Sequence, residues 1–223
     1  FRYLLVEGIV KRGVCLIRGI YIAASGMLVE SLRADVTANN LANANTAGFK
    51  KDFAVMKDYA SRQIRRINDG PKEPEIGNMG TGAWIDTIAT HPSGGITRVT
   101  NNTLDVAIDG KGFFAIQTPA GVRYTRNGSF TRGAGGELVT QDGHQVLGLN
   151  GPIVLDPAGQ AGKVTISEDG RIFLDEVENN TFQIATFAEE NRLRKEGANL
   201  FRPPEGVNPE QATPPLRQGL LEL

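Results

Sequence analysis

Cysteine is nearly absent. The single Cys15 rules out an internal disulfide and a Cys-based zinc site. The two histidines, His91 and His144, have no second histidine at metal-ligand spacing, so metal and other cofactors are not expected. Charge of one sign is lacking too. With 24 basic and 25 acidic residues the net charge is −1, which leaves no electrostatic footprint for nucleic acid or an anionic membrane. No apolar run approaches the ~20 residues that cross a bilayer. Tyr3-Leu4-Leu5-Val6 is broken by Glu7 and followed by no small-x-small cleavage site, so neither a membrane-inserted chain nor a secretory signal peptide is expected. Aromatics are few at 7%, whereas glycine is plentiful at 27 of 223 residues, a density that signals tight turns between short strands. This length holds one large or two small domains.

Catalytic motifs are missing as well. Gly110-Lys111 and Gly162-Lys163 are not phosphate loops: Asp105 and Pro157 stand where the first glycine belongs, and neither lysine precedes Ser or Thr. Gly77 to Gly82 has its glycines in the wrong order for a dinucleotide fingerprint. Asp109 and Asp142 precede glycine, so turn formation explains them, and there is no Gly-x-Ser-x-Gly elbow. No enzyme is expected and no catalytic residue is nominated.

From about Ile20 to Ala47 the pattern is helical. Ile22, Val29 and Val36 recur every seven residues, with Ser25, Leu32 and Asn39 three further on. That is a narrow stripe of coiled-coil type, too thin to be buried by one helix alone. Ala23, Ala24, Ser25 and Gly26 are small enough for another backbone to approach closely. Asn39, Asn40, Asn43 and Asn45 then crowd the helix end before Thr46-Ala47-Gly48-Phe49. Asparagine competes with the helix for backbone hydrogen bonds, so four of them require a reason. Two readings stand. One is a fraying C-terminus with Gly48 as the residue after the cap and Phe49 folding back over the last turn. The other is a set of amides that bond neighbouring helices and fix their register, as a buried Asn does in coiled coils.

Lys50 to Ile67 reads as a polar helix or extended arm, with Phe53, Met56 and Tyr59 apolar at spacing three and a basic group at Arg62, Arg65 and Arg66. Pro71, Pro74 and the glycines up to Gly82 then indicate a linker or irregular arm. Beyond about Thr90 the period becomes two. Strands are expected around Pro119-Ala120-Gly121, and hairpins at Asn127-Gly128, Asp142-Gly143 and Asp169-Gly170, ending with a strand from Phe182 to Phe187. The expected fold class is α+β: an N-terminal amphipathic helix of coiled-coil type plus a compact antiparallel β-rich domain, a sandwich or partial barrel. The expected organisation is an extension over 1–15, an assembly region over 16–67, a linker or arm over 68–90, a β-rich domain over 91–202 and a return segment over 203–223. Phe1 is not Met and residues 1–15 precede the helical pattern, so translation is expected to start near Leu16, with Lys11-Arg12-Gly13 a translated ribosome-binding site; the alternative is a genuine flexible N-terminal tail.

Several segments resemble one known family. Ile20-Tyr21-Ile22-Ala23-Ala24-Ser25-Gly26-Met27, followed by Asn39-Asn40-Leu41-Ala42-Asn43-Ala44-Asn45-Thr46-Ala47-Gly48-Phe49-Lys50, resembles the N-terminal signature of bacterial flagellar rod and hook proteins. Thr103 to Phe114, with Tyr124-Thr125-Arg126-Asn127-Gly128-Ser129-Phe130, is similar to that family's central β-domain, and Leu193 to Phe201 and Leu216 to Glu222 match further segments. The length and the Ile17-Arg18-Gly19-Ile20-Tyr21 opening favour the proximal-rod branch over the distal-rod branch. The resemblance implies a self-assembling axial subunit whose terminal helices form an inner tube and whose β-domain forms an outer layer. It implies partners that are copies of itself and other rod proteins, export through the flagellar type III apparatus without a cleaved signal, and a periplasmic rod that transmits torque. The residues expected to carry assembly are Ile22, Val29, Leu32, Val36, Asn39, Asn40, Leu41, Asn43, Asn45, Gly48 and Phe49. The family pattern continues past Glu222 into a long amphipathic helix that this sequence does not contain, so a longer native protein is one expectation. The alternatives are a distal-rod or hook relative and, from a different class, a periplasmic enzyme acting on peptidoglycan.

Overall fold

The computed structural model describes residues 2–66, 75–92, 94–155, 162–197, 199–204 and 206–223, with side chains from residue 19 onward. The chain divides into two compact units, one made of residues 1–41 with 52–89 and the other of residues 42–51 with 90–223.

The first unit holds the one α-helix among the described residues, Arg2–Ala42. Its backbone runs further toward the N-terminus than the pattern from Ile20, and it stops five residues before Ala47. The stop has a local cause. The Thr46 N–H and hydroxyl both turn back to Asn43, to its carbonyl at 3.0 Å and its side-chain oxygen at 3.2 Å, which closes a turn in place of another helical one. Gly48 is therefore not the residue after a helix cap.

Four strands complete this unit. Asp52–Asp58 pairs with Ala83–Thr90, and Ser61–Arg65 pairs antiparallel with Glu75–Gly80. Residues 52–65 are thus strands and not a polar helix: the spacing of three shared by Phe53, Met56 and Tyr59 suits either element. The segment expected as linker or irregular arm holds two of these strands, while residues 67–74, with Pro71 and Pro74, lie outside the described residues. Gly77 and Gly80 read as chain breakers, yet both stand in a paired strand, Ile64 opposing Gly77 and Ser61 opposing Gly80. The small-residue face of the helix receives a backbone as its composition suggested. Ser25 Oγ accepts the Ala83 N–H at 3.3 Å, and a Cβ added at Gly82 would lie 2.8 Å from that oxygen. Val29, one heptad position, is buried at 5% exposure.

The second unit is β-rich. Its main sheet runs in the order Arg194–Glu196, Leu200–Arg202, Gly121–Thr125, Phe113–Thr118, Gln145–Gly148, Leu138–Thr140, Phe130–Arg132, with Ile184–Thr186 also on Phe113–Thr118. Side chains alternate across a strand, so neighbours on Phe113–Thr118 feed two different cores. Phe114, fully buried, meets Phe130 edge-on at 5.1 Å and Phe182 at 5.4 Å. Phe113 faces the other way, 5.4 Å from Phe201 and 6.0 Å from Phe187. A three-stranded sheet of Val164–Ile166, Arg171–Leu174 and Val177–Thr181 adds Ile166 and Ile172 to the Phe114 core.

Three of the four expected turns join the strands they were expected to join: Thr118 opposes Gly121, Val139 opposes Gln145, and Val164–Ile166 pairs with Arg171–Leu174. The turn expected at Asn127-Gly128 does not. The strands on either side of it lie far apart in the sheet order, and Gly128 instead serves a close approach, since a Cβ there would sit 1.7 Å from the Val106 carbonyl oxygen. The return segment expected over 203–223 contains strands of its own. Leu216–Gln218 pairs with Val106–Ile108 and Leu220–Glu222 with Thr97–Val99, burying Leu216 and Leu221. The class is α+β, one helix with a β-rich half-barrel domain, and the helix finds no helical partner within the described residues.

Candidate functional site

The residues expected to carry assembly divide between the units. Ile22, Leu32, Leu41 and Asn39 lie exposed on the helix, Leu41 at 76%, while Val36 and Asn40 are half-buried and only Val29 is buried. The heptad stripe is thus largely uncovered. The pattern missed the most exposed apolar residues beside it: Tyr21 at 70%, Met27 at 68% and Leu28 at 67%, with Ile20 close behind. Tyr21 and Leu28 are themselves seven apart, so the same count that found Ile22 and Val29 also reveals them.

The Asn40 amide is engaged within its own unit. It brackets the Asp52 backbone, donating to the carbonyl at 2.7 Å and accepting the N–H at 3.0 Å. Asn40→Ala should remove both bonds and cost about 1–2 kcal/mol, read as faster hydrogen exchange at the Asp52 amide. Asn43 closes the turn at Thr46, and Asn45 is exposed.

Gly48, Phe49 and Lys50 are fixed within the β-rich unit. Gly48 is buried at φ +69°, donates its N–H to the Glu222 carbonyl at 2.8 Å, and approaches the chain so closely that a Cβ would lie 2.2 Å from the Asn127 nitrogen. Only glycine satisfies both demands. Gly48→Ala should destabilise the unit by about 2–3 kcal/mol, measurable as a lower urea midpoint with unchanged m-value.

Next to it lies a buried ionic cluster that local sequence pattern does not reveal, because its members stand far apart in the chain. Lys50, Arg126 and Glu222 are 3%, 7% and 4% exposed. One carboxylate oxygen of Glu222 accepts from Lys50 Nζ and, at 2.8 Å, from the Gly95 N–H, and the other takes Arg126 Nε at 2.8 Å. The remaining guanidinium nitrogens donate to the carbonyls of Gly110, Gly112 and Ile108. Burial pushes the Lys50 ammonium below its ordinary pKa despite the Glu222 carboxylate beside it. Burial alone would push Glu222 up, but Arg126, Lys50 and the Gly95 N–H together hold it below the usual carboxylate value. Each of the three does fall inside a segment that resembles the flagellar family, and that resemblance was the available signal.

An open groove of about 630 Å³ runs past this cluster, lined in part by His91, Lys111, Phe113 and Arg217. Its two buried ionic groups, Arg126 and Glu222, are engaged with each other, and Arg217 pairs with Asp109 at 2.6 Å on the rim. Among the described residues no group of three His, Cys, Asp or Glu side chains is placed to hold a metal ion.

Two family models match. One, described as the D1 domain of flagellar hook protein FlgE/F/G, covers residues 107–174, and the other, described as flagella basal body rod protein, covers residues 20–50. The chain is 36% identical to the flagellar basal-body rod protein FlgG of Bacillus subtilis (strain 168), over 93% of this chain and 84% of the relative. It is 35% identical to FlgG of Borreliella burgdorferi over the same shares, and 33% identical to FlgF of Caulobacter vibrioides over 91% of this chain and 80% of the relative. The chain belongs to the flagellar basal-body rod protein family, in the group that contains FlgG and FlgF.

Proposed function

We propose that the chain is a structural subunit of the flagellar rod that polymerises through its N-terminal helix into an axial tube crossing the periplasm and transmitting torque. The observation that carries this is the helix itself. Residues 20–50 match the rod family, and within them Tyr21, Met27, Leu28 and Leu41 hold apolar surface out to solvent in a single chain. Apolar surface on this scale along one element marks a protein interface, and the narrow stripe sets helix-to-helix packing as its mode. Copies of the chain and other rod proteins are the partners. Delivery is through the flagellar export apparatus, which reads no cleaved leader.

On the finer assignment, the Ile17-Arg18-Gly19-Ile20-Tyr21 opening favours proximal-rod FlgF, while most of the similar relatives carry the name FlgG. That majority makes the distal rod the first place to look. The peptidoglycan-cleaving alternative gains nothing from these relatives, which carry rod-protein names. Deletion of the gene followed by electron microscopy of isolated basal bodies tests the reading. Rods should be truncated or missing, and an antibody to the chain should label restored rods along one segment whose depth separates FlgF from FlgG. Full-length, unlabelled rods in the deletion strain would end the proposal.

A further inference from the structure

We propose that Lys195 is a positioning residue which, opposite Glu222, clasps the backbone of residues 47–50, and that this clasp is the path by which force enters the β-rich unit from the segment following the helix. The force-bearing part rests on the rod reading; the grip itself does not.

Residues 47–50 belong to no helix or strand, and a single local bond, from the Phe49 N–H to the Thr46 carbonyl at 3.3 Å, joins them to the turn before them. Contacts from distant residues hold them in place. On one side, Lys195 Nζ donates to the Lys50 carbonyl at 3.0 Å while lying 3.8 Å above the Phe49 ring, well within cation–π range. Asn199, at φ +57° in the turn of the same hairpin, donates its amide to the Ala47 carbonyl at 3.3 Å. On the other side, Glu222 takes the Gly48 N–H on its carbonyl and the Lys50 ammonium on its carboxylate. Both jaws are anchored. Lys195 opposes Phe201, whose ring packs on Phe113, and Phe201 in turn pairs with Tyr124 in the main sheet. Glu222 is tied by Arg126 to the carbonyls of Ile108, at the end of a strand, and of Gly110 and Gly112 just after it. Apolar contacts between these parts would allow sliding, because they have no preferred direction. Charged and hydrogen-bonded contacts from two sides fix a position.

The test uses Lys195→Met, which keeps the stem but removes the ammonium, and Lys195→Arg, which keeps a cation able to stack on Phe49 and to donate. Hydrogen exchange on the full chain should show the Gly48 and Phe49 amides opening roughly tenfold faster in Lys195→Met. Lys195→Arg should restore near-native rates, and the Phe113–Thr118 amides should be unchanged in both. The Gly48 amide is informative because its acceptor is Glu222, not Lys195. Unchanged Gly48 and Phe49 rates in Lys195→Met, or an equal loosening of Phe113–Thr118, would overturn the grip. In cells lacking their own copy, Lys195→Arg should swim through viscous medium as the wild type does and Lys195→Met should slow or stop. If the wild type restores swimming and Lys195→Met matches it, the force path is overturned. If the wild type itself restores nothing, the rod reading and the force path fall together, and the exchange data alone decide the grip.

Discussion

Glu222→Ala is expected to lower the unfolding free energy by about 3–5 kcal/mol, a larger loss than Gly48→Ala or Asn40→Ala should cause. The change removes one carboxylate but leaves two cations, Lys50 and Arg126, both less than a tenth exposed and facing each other without the charge between them. It also withdraws the acceptor of the Gly95 N–H. Glu222→Gln keeps an oxygen for one of these donors but loses the charge, so it should fall between Ala and wild type. Urea titrations of the purified chains measure all three. The pH dependence follows from the carboxyl being held below its ordinary 4.5. Its stabilisation is fully present above about pH 4.5 and is lost as pH falls through the lower folded value. Glu222→Gln should therefore flatten that acid limb. Lys50 contributes at the other end: its folded pKa is depressed, so stability should rise with pH from that value up to the ordinary 10.5.

Leu28→Glu is expected to abolish rod assembly and swimming while leaving the isolated chain's stability within about 0.5 kcal/mol. Leu28 is 67% exposed in the single chain, so a carboxylate there is solvated and harmless until another subunit covers it. Once covered, it is an unpaired charge in an apolar seam, at a cost of several kcal/mol. Helical stacking repeats that penalty at every subunit, and no mixture of good and bad contacts remains to rescue the tube. Leu28→Met should assemble normally, since shape and polarity are kept. Swarm-plate motility paired with denaturation of the purified chains separates the two effects. A Leu28→Glu chain that swims normally would remove this face from the assembly.

Much of this architecture was visible in local pattern. The helical run, the three turns at residues 119–121, 142–143 and 169–170, and the strands around Phe113 all follow from periodicity and turn chemistry, which act between near neighbours. Asn127-Gly128 shows where such reasoning stops. The dipeptide has the chemistry of a hairpin turn, but the glycine is required by the Val106 carbonyl, some twenty positions away, so no local rule reveals it. The same holds for Glu222 and Lys50, 172 positions apart. Each reads as an ordinary surface charge until the fold brings them together and excludes water. Asn40 was legible as a residue needing an explanation, but its bond to the Asp52 backbone twelve residues on, where a strand begins, was not. Strands Ser61–Arg65 and Glu75–Gly80 were obscured because glycine within a strand carries the same local signal as glycine in a linker.

The central claim is that other subunits cover the helix face bearing Tyr21, Met27 and Leu28. The most direct measurement is photo-crosslinking in living cells from a benzoyl-phenylalanine placed at Leu28. The account predicts a crosslinked species joining this chain to a second copy or another rod protein in assembled basal bodies, lost when the rods are dissociated before illumination. A crosslink confined within one chain, unchanged by dissociation, would contradict it.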